Sequence, residues 1–512
     1  MRRFVSLLLS CALLALCFAG CGSSELVTFT WQVDSMPKSL DPQLAGSVCE
    51  RTAAEHLFRG LVMLDAEGQP APDCAESWTV SADGLTYTFD LRDDLYFYSY
   101  EEETNTIPVT ADDFVFGLVR VFLPETGSPY TQQLGGIAGS AAVMAGGDES
   151  QLGVSAPDDK TVVIRLSAPD DTFLYKLCCP GAMPCNREFF ASTRGSYGLA
   201  EEYLLTNGDF QLYNWAAEGV FLRRKDAPAG AANNLRLVLT DPNETVEGLA
   251  ALDEGIVSGI EYRGEAPEGY AAQTFTDTVW VLLFNSGDSS LANLSVRQGL
   301  AQVLGKSLSA GLPGSTYTAA EGLLPPALPL PDGSPAQGNR LTAYGDAQTL
   351  YQQGLAQLGV QKLSGITVLL PQDEGVGSLF ESANQQLQRE LGAFFSLQKL
   401  EEEELSSRIA AGDFQLALVP LSPSDSDAAA FLSQIADYSG VTAAALDQLT
   451  STTLSADQRT RLVLEAENQL LNQAAAVPVW FEQRSFLTLA GWSGIIYSPF
   501  GPRLSLRSAY YN

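Results

Sequence analysis

Nucleophilic, acid–base or metal chemistry in this chain would have to come from one histidine, His56, and eight cysteines. His56 stands in Ala54-Glu55-His56-Leu57 with no local partner pattern that would indicate a triad. Neither a G-x-S-x-G elbow nor an H-E-x-x-H pair occurs, so no turnover of a test peptide is expected. Cys178-Cys179 and Cys185 fall close together in "KLCCPGAMPCNREFF", a spacing that raises the question of a metal. No imidazole accompanies them, and buried or paired thiols are the favoured reading, with no metal and no cofactor. A single histidine also weakens direct ligation of a metal or haem through imidazole. The remaining chemical feature is acidic: Ser422-Pro423-Ser424-Asp425-Ser426-Asp427, whose plain reading is a solvated loop.

The elements around these residues read as α+β. Glu76 to Arg92 forms two strands about a tight Asp83-Gly84 turn, where both residues are expected to supply positive φ. Leu85, Tyr87, Phe89 and Leu91 alternate with Thr86, Thr88, Asp90 and Arg92, the period of a half-buried strand. Thr110 is placed to cap a helix with Asp112 and Asp113 in its first turn. Arg51 to Leu64 reads as a helix with Ala54, Leu57, Phe58 and Leu61 on one face. Val154 to Leu166 is a second hairpin, Val279 to Asn285 a buried strand, and Asp413 to Val419 another. Ser455-Ala456-Asp457-Gln458 is a capping-box pattern opening a helix to about Gln473, after which "AVPVWFEQRSF" crosses back.

A chain of 512 residues is too long for one core and suits two or three domains. Residues 1–20 read as a leader: basic Arg2 and Arg3, an apolar run from Val5 to Phe18 too short for a comfortable span, then Ala19-Gly20. Phe18-Ala19-Gly20-Cys21 resembles a bacterial lipobox, with Phe18 where leucine is usual. It implies a mature chain that begins at Cys21 and is lipidated on that sulfur, and two acyl chains anchor a protein lastingly. A plain secretory leader cut nearby is the alternative. Removing Arg2 and Arg3 from 29 basic residues leaves 27 against 61 acidic ones, a net charge of −34. Nucleic acid and anionic lipid would both repel such a surface, so nucleic acid is set aside as a partner.

Between Leu40 and Phe116 the segments "SLDPQ", "LFRGLVMLDAEGQPAPDCAESWTVSADGLTYTFDLR" and "PVTADDFVFGLVR" overlap or follow in order. This run resembles the oligopeptide- and dipeptide-binding proteins of ABC importers, the extracellular solute-binding proteins of family 5. "TNGDFQLYNW", "NLSVRQGL" and "GDFQLAL" agree further on, the last with Gln415 where the family has aspartate. The resemblance implies a mixed α/β, two-lobed, periplasmic-binding-protein-like fold that closes on its ligand at a hinge. Its first lobe would be discontinuous, residues 21–264 and 482–512, and its second would be 265–481, with crossovers near Gly264 and Phe481. The implied protein is an extracytoplasmic, lipid-anchored monomer that captures oligopeptides and delivers them to the transmembrane subunits of an ABC permease, without catalysis.

On the same resemblance, the ligand backbone would lie extended against main chain from both lobes. Gly46-Ser47-Val48 would supply one side and Pro420-Leu421-Ser422 the other, and Tyr130 in "TGSPYTQQ" matches a cleft tyrosine, although a half-exposed surface aromatic is the other reading. After the second-lobe strand the family places an aspartate against the ligand's α-ammonium; Ser424 holds that position here. A buried ammonium without a carboxylate costs on the order of several kcal/mol. Either Asp425 next door takes over, or the ligand presents something other than a free amino terminus. Leu421 stands where the family has tryptophan, and Ser422 where near relatives have cysteine. The scaffold's other reported uses stay open: a metal chelate, haem, an opine or an oligosaccharide as solute, or a peptide sensor.

Overall fold

A computed structural model of the protein describes residues 27–512, apart from 34, 66–67, 101–106, 171, 225–226, 229, 240–247, 264–265, 337–342, 424–425 and 450–453. Its centre is one mixed sheet. In chain order the strands are β1 (Thr28–Val33), β2 (Phe210–Ala216), β3 (Gly219–Arg224), β4 (Asn234–Leu239) and β5 (Gly259–Tyr262). They continue as β6 (Ala271–Phe284), β7 (Tyr317–Ala319), β8 (Thr367–Pro371), β9 (Ser396–Leu400), β10 (Leu416–Leu421) and β11 (Ala476–Thr488). Across the sheet the order is β2-β3-β4-β1-β5-β11-β6-β10-β8-β9, with β7 added on β11.

β6 and β11 are long strands that run side by side at the middle of the sheet. They pair antiparallel from Ala271↔Thr488 to Leu283↔Ala476, carrying β5 at one end and β10 at the other. The expected buried strand at Val279 is the second-lobe half of β6, and its period-2 pattern divides two cores. Val279, Val281 and Leu283 enter one with Phe431 and Leu470, while Trp280, Leu282 and Phe284 enter the other with Leu300 and Phe380. Gly264 lies outside the described residues. The register of β6 against β11 slips between Thr276 and Thr278, leaving Asp277 as a bulge midway along β6.

Two larger cores of the first lobe, beside a small one around Leu252 and Ile260, carry its elements. β1 places Phe29, Trp31 and Val33 in one, against Phe58, Phe210 and Leu506. A separate four-stranded sheet, Ala75–Val80, Thr86–Leu91, Thr161–Arg165 and Val154–Asp158, builds the other. The helix Ala111–Phe122 lies between them, sending Phe114 and Leu118 one way and Phe116 the other. The carboxylate of Asp113 accepts from the Thr110 amide at 2.7 Å, closing the expected cap. Within this helix Gly117 leaves room for the Met183 carbonyl, which would lie 2.2 Å from an added Cβ. Alanine gains about 1 kcal/mol of helix propensity over glycine, yet overpacking against backbone costs about 1–3 kcal/mol. Gly117→Ala is therefore expected to lower the urea midpoint, the clash outweighing the propensity.

Two local expectations are corrected. In the Ser81–Leu85 turn only Gly84 has positive φ, at 71°. Asp83 acts through its side chain, whose Oδ1 accepts from Leu85 N at 3.1 Å and Ser81 Oγ at 2.5 Å. The helix expected over Arg51 to Leu64 runs instead over Val48–Leu57, and Val62–Leu64 is a strand. Its start is set by a capping box, Ser47 accepting from Glu50 N at 3.2 Å and Glu50 accepting from Ser47 N at 2.9 Å.

Candidate ligand-binding cleft

The lobes enclose a cavity of about 910 Å³, near the upper end of ordinary ligand sites. Gln69, Gln132, Gln133, Tyr175 and Lys176 line it from the first lobe, and Asp427, Phe431, Gln434, Tyr438 and Arg459 from the second. Local structure aims the charged groups. Asp170 fixes the turn into the short helix Phe173–Leu177 by accepting from Thr172 N at 3.0 Å, and Lys176 projects from that helix. Asp427 is the N-cap of the helix Ala428–Ser439, its Oδ1 accepting from Ala429 N and Ala430 N at 2.9 and 3.1 Å.

These groups meet across the cleft. Lys176 Nζ lies 3.2 Å from Asp170 Oδ2 and 3.3 Å from Asp427 Oδ2, one carboxylate from each lobe. Burial alone would pull the Lys176 ammonium down, but the carboxylates of Asp427 and Asp170 outweigh it and hold it above the usual lysine range. Arg459 spans the same gap, donating to the Pro169 carbonyl at 2.7 Å.

On β6, the bulged Asp277 is fully buried and takes two bonds from Arg484, at 3.0 and 2.5 Å. Arg484 and Arg503 also reach Glu261, at 3.6 and 2.8 Å. Nearby, Trp280 Nε1 donates to Glu482 Oε2 at 2.7 Å, and Ser422 Oγ lies 2.7 Å from Thr278 Oγ1. β10 reaches this point with an open side: it pairs with β6 from Leu416 to Leu421, but with β8 only at Leu416 and Ala417 among the described residues.

The sequence that builds this cleft also matches a known family. The profile of bacterial extracellular solute-binding proteins, family 5 (middle portion), matches residues 69–443. The chain belongs to this family. It is 24% identical to the dipeptide-binding protein DppE of Bacillus subtilis (strain 168), over 91% of this chain and 89% of that protein. It is 34% identical to the probable deoxycholate-binding periplasmic protein YgiS of Escherichia coli (strain K12), over 46% of this chain and 42% of that one. The fold is that of Listeria monocytogenes OppA solved with bound peptide, with a TM-score of 0.75 at 21% identity over 95% of this chain and 99% of the other. Members of the family bind solutes and hand them on; they are not enzymes.

In this solute-binding protein the expected site residues fall into three groups. Ser424 and Asp425 lie outside the described residues, as does Cys21. Leu421 ends β10 and Ser422 follows it, with Leu421 half-buried opposite Val279. Gly46, Ser47 and Val48 lie at the first-lobe helix start, and the amides of Gly46 and Ser47 are engaged within the protein. Gly46 N and Ser47 N donate to Glu50 Oε2 at 3.0 and 2.9 Å, and the Gly46 carbonyl accepts from Arg51 at 2.9 Å. Tyr130 is buried, 5% exposed, and its hydroxyl donates to the Ala45 carbonyl at 2.5 Å. It holds the loop before Gly46 rather than facing the cavity.

The other chemical candidates are structural. His56 is buried with Nδ1 2.7 Å from the Thr52 carbonyl and Nε2 accepting from Leu506 N at 3.0 Å. Burial pushes the thiols of Cys49, Cys74 and Cys185 up to about 12, which removes their nucleophilicity. Asp41, from the Asp-Pro pair, is held by Arg120 of the helix Ala111–Phe122, at 3.1 and 2.5 Å. Sequence reasoning missed Asp170 and Lys176. Asp427 carried a readable signal, an N-cap aspartate before an Ala-rich run; Lys176 carried none.

Proposed function

We propose that this protein captures oligopeptides between its lobes and delivers them to an ABC permease, working outside the cytoplasm as a monomer anchored by lipid on Cys21. The open side of β10 carries this reading. An extended peptide added to a free strand edge bonds main chain to main chain, which tolerates many side chains. Further along the chain, Ser426 and Asp427 line the cavity. The domain division expected from sequence, 21–264 with 482–512 against 265–481, is kept, with the pivot assigned to the bulge at Asp277. No turnover of bound peptide is expected.

The test is native mass spectrometry of the chain from Gly22 onward, with denaturing release of whatever co-purifies. A ladder of short peptides is the expected result. A single non-peptide mass would replace this reading with another solute on the same fold, and the similarity to a probable deoxycholate-binding protein gives that outcome a definite candidate. Adding such a peptide at a hundredfold excess over its dissociation constant is expected to stabilise the fold by about 2.7 kcal/mol, read as a rise in melting temperature.

A further inference from the structure

The cavity already contains an ammonium group. Lys176 brings it from the first lobe, and it sits between Asp170 Oδ2 and Asp427 Oδ2 at 3.2 and 3.3 Å. Both carboxylates are otherwise engaged. Oδ1 of Asp170 accepts from Thr172 N and Oγ1 at 3.0 and 2.7 Å, and Oδ1 of Asp427 caps its helix. An incoming α-ammonium would therefore meet carboxylates whose charge Lys176 already balances, and would bring a second cation beside the first in a largely enclosed site. What the lysine offers the cavity is the opposite chemistry. An ammonium has three N–H donors and no acceptor, and two carboxylates leave one donor for a ligand oxygen.

We propose that Lys176 is a specificity-determining residue that fills the cleft's carboxylate pair with an internal ammonium, so that peptides are accepted without regard to a free amino terminus. This inference rests on the peptide reading above and narrows it to a substrate class: peptides whose amino end is blocked or internal bind as well as free ones. Of the two roles left open for the acidic loop, it favours a ligand that presents something other than a free amino terminus.

Two pentapeptide pools of identical composition, one with free amino termini and one N-acetylated, distinguish the possibilities by competition in native mass spectrometry. The wild-type protein is expected to retain both within about threefold, the scale of a weak charge contribution. Lys176→Met uncovers the two carboxylates and is expected to shift retention at least about tenfold towards the free pool. Lys176→Arg restores the indifference. Strong preference of the wild type for free termini, abolished by Asp425→Ala, would overturn the proposal and make Asp425 the anchor. Failure of the folded wild type to retain either pool would overturn the peptide reading itself, and this inference with it. The wild-type comparison stands even if Lys176→Met does not fold.

Discussion

Arg484→Met is expected to cost about 3 kcal/mol of folding free energy, because it takes the bidentate partner from a buried carboxylate that keeps only Thr278 Oγ1 at 3.1 Å and Arg503 at 3.8 Å among the described residues. Asp277 is fully buried at the β6 bulge, and Arg484 gives it two hydrogen bonds. Arg503 lies 3.8 Å from it at the nearest, too far to replace them. Removing one partner exposes the full desolvation penalty of the other, whereas removing both charges leaves no ion to stabilise. The double variant Asp277→Asn with Arg484→Met is therefore expected to recover much of the loss. Urea unfolding of the single and double variants measures this. A single variant within about 1 kcal/mol of the wild type, the scale of an exposed pair, would refute the assignment.

The second large effect is on acid stability, through His56. Burial, with Arg507 and Arg224 nearby, drops its imidazole from 6.5 to about 3, against the pull of the Thr52 carbonyl. Above pH 6.5 the ring is neutral in both states and contributes no slope. Below it the unfolded chain takes a proton that the folded protein refuses, so stability falls with pH until the folded ring protonates near pH 3. The loss over that window is on the order of 4 kcal/mol. His56→Asn gives up hydrogen bonds worth about 1–3 kcal/mol at neutral pH but removes this slope. The stability difference between wild type and variant should thus shrink as the pH falls from 6.5, as followed by chemical denaturation. A difference independent of pH would show that the ring titrates normally.

Features governed by neighbouring residues were legible in the sequence. The Ser455 capping box opens the helix Ala456–Asn472, and Gly84 takes the positive φ its hairpin needs. The misplaced first helix obeys the same rule, because its start is set by a local capping box at Ser47-x-x-Glu50 and not by the apolar spacing further on. Features set by distant pairing were not legible. Asp277 and Arg484 are 207 residues apart, and nothing in either neighbourhood marks them as partners. The family resemblance supplied the two lobes but could not reveal that a lysine meets Asp427, nor that Glu50 engages the main chain at Gly46 and Ser47.

If the lobes divide as proposed, the two strands at the middle of the sheet would also set how they move. β6 and β11 lie side by side in one hydrogen-bonded ribbon, continuous through the Asp277 bulge. Such a ribbon folds across its face, where its hydrogen bonds only tilt, and resists sliding or bending within its own plane, where they would have to stretch. The lobes are left with one soft direction, like a door leaf on a strip hinge. Opening to admit a solute and opening to surrender it would then follow the same path in reverse. One distance measured across the mouth, from Gln132 to Gln434, would report that whole coordinate.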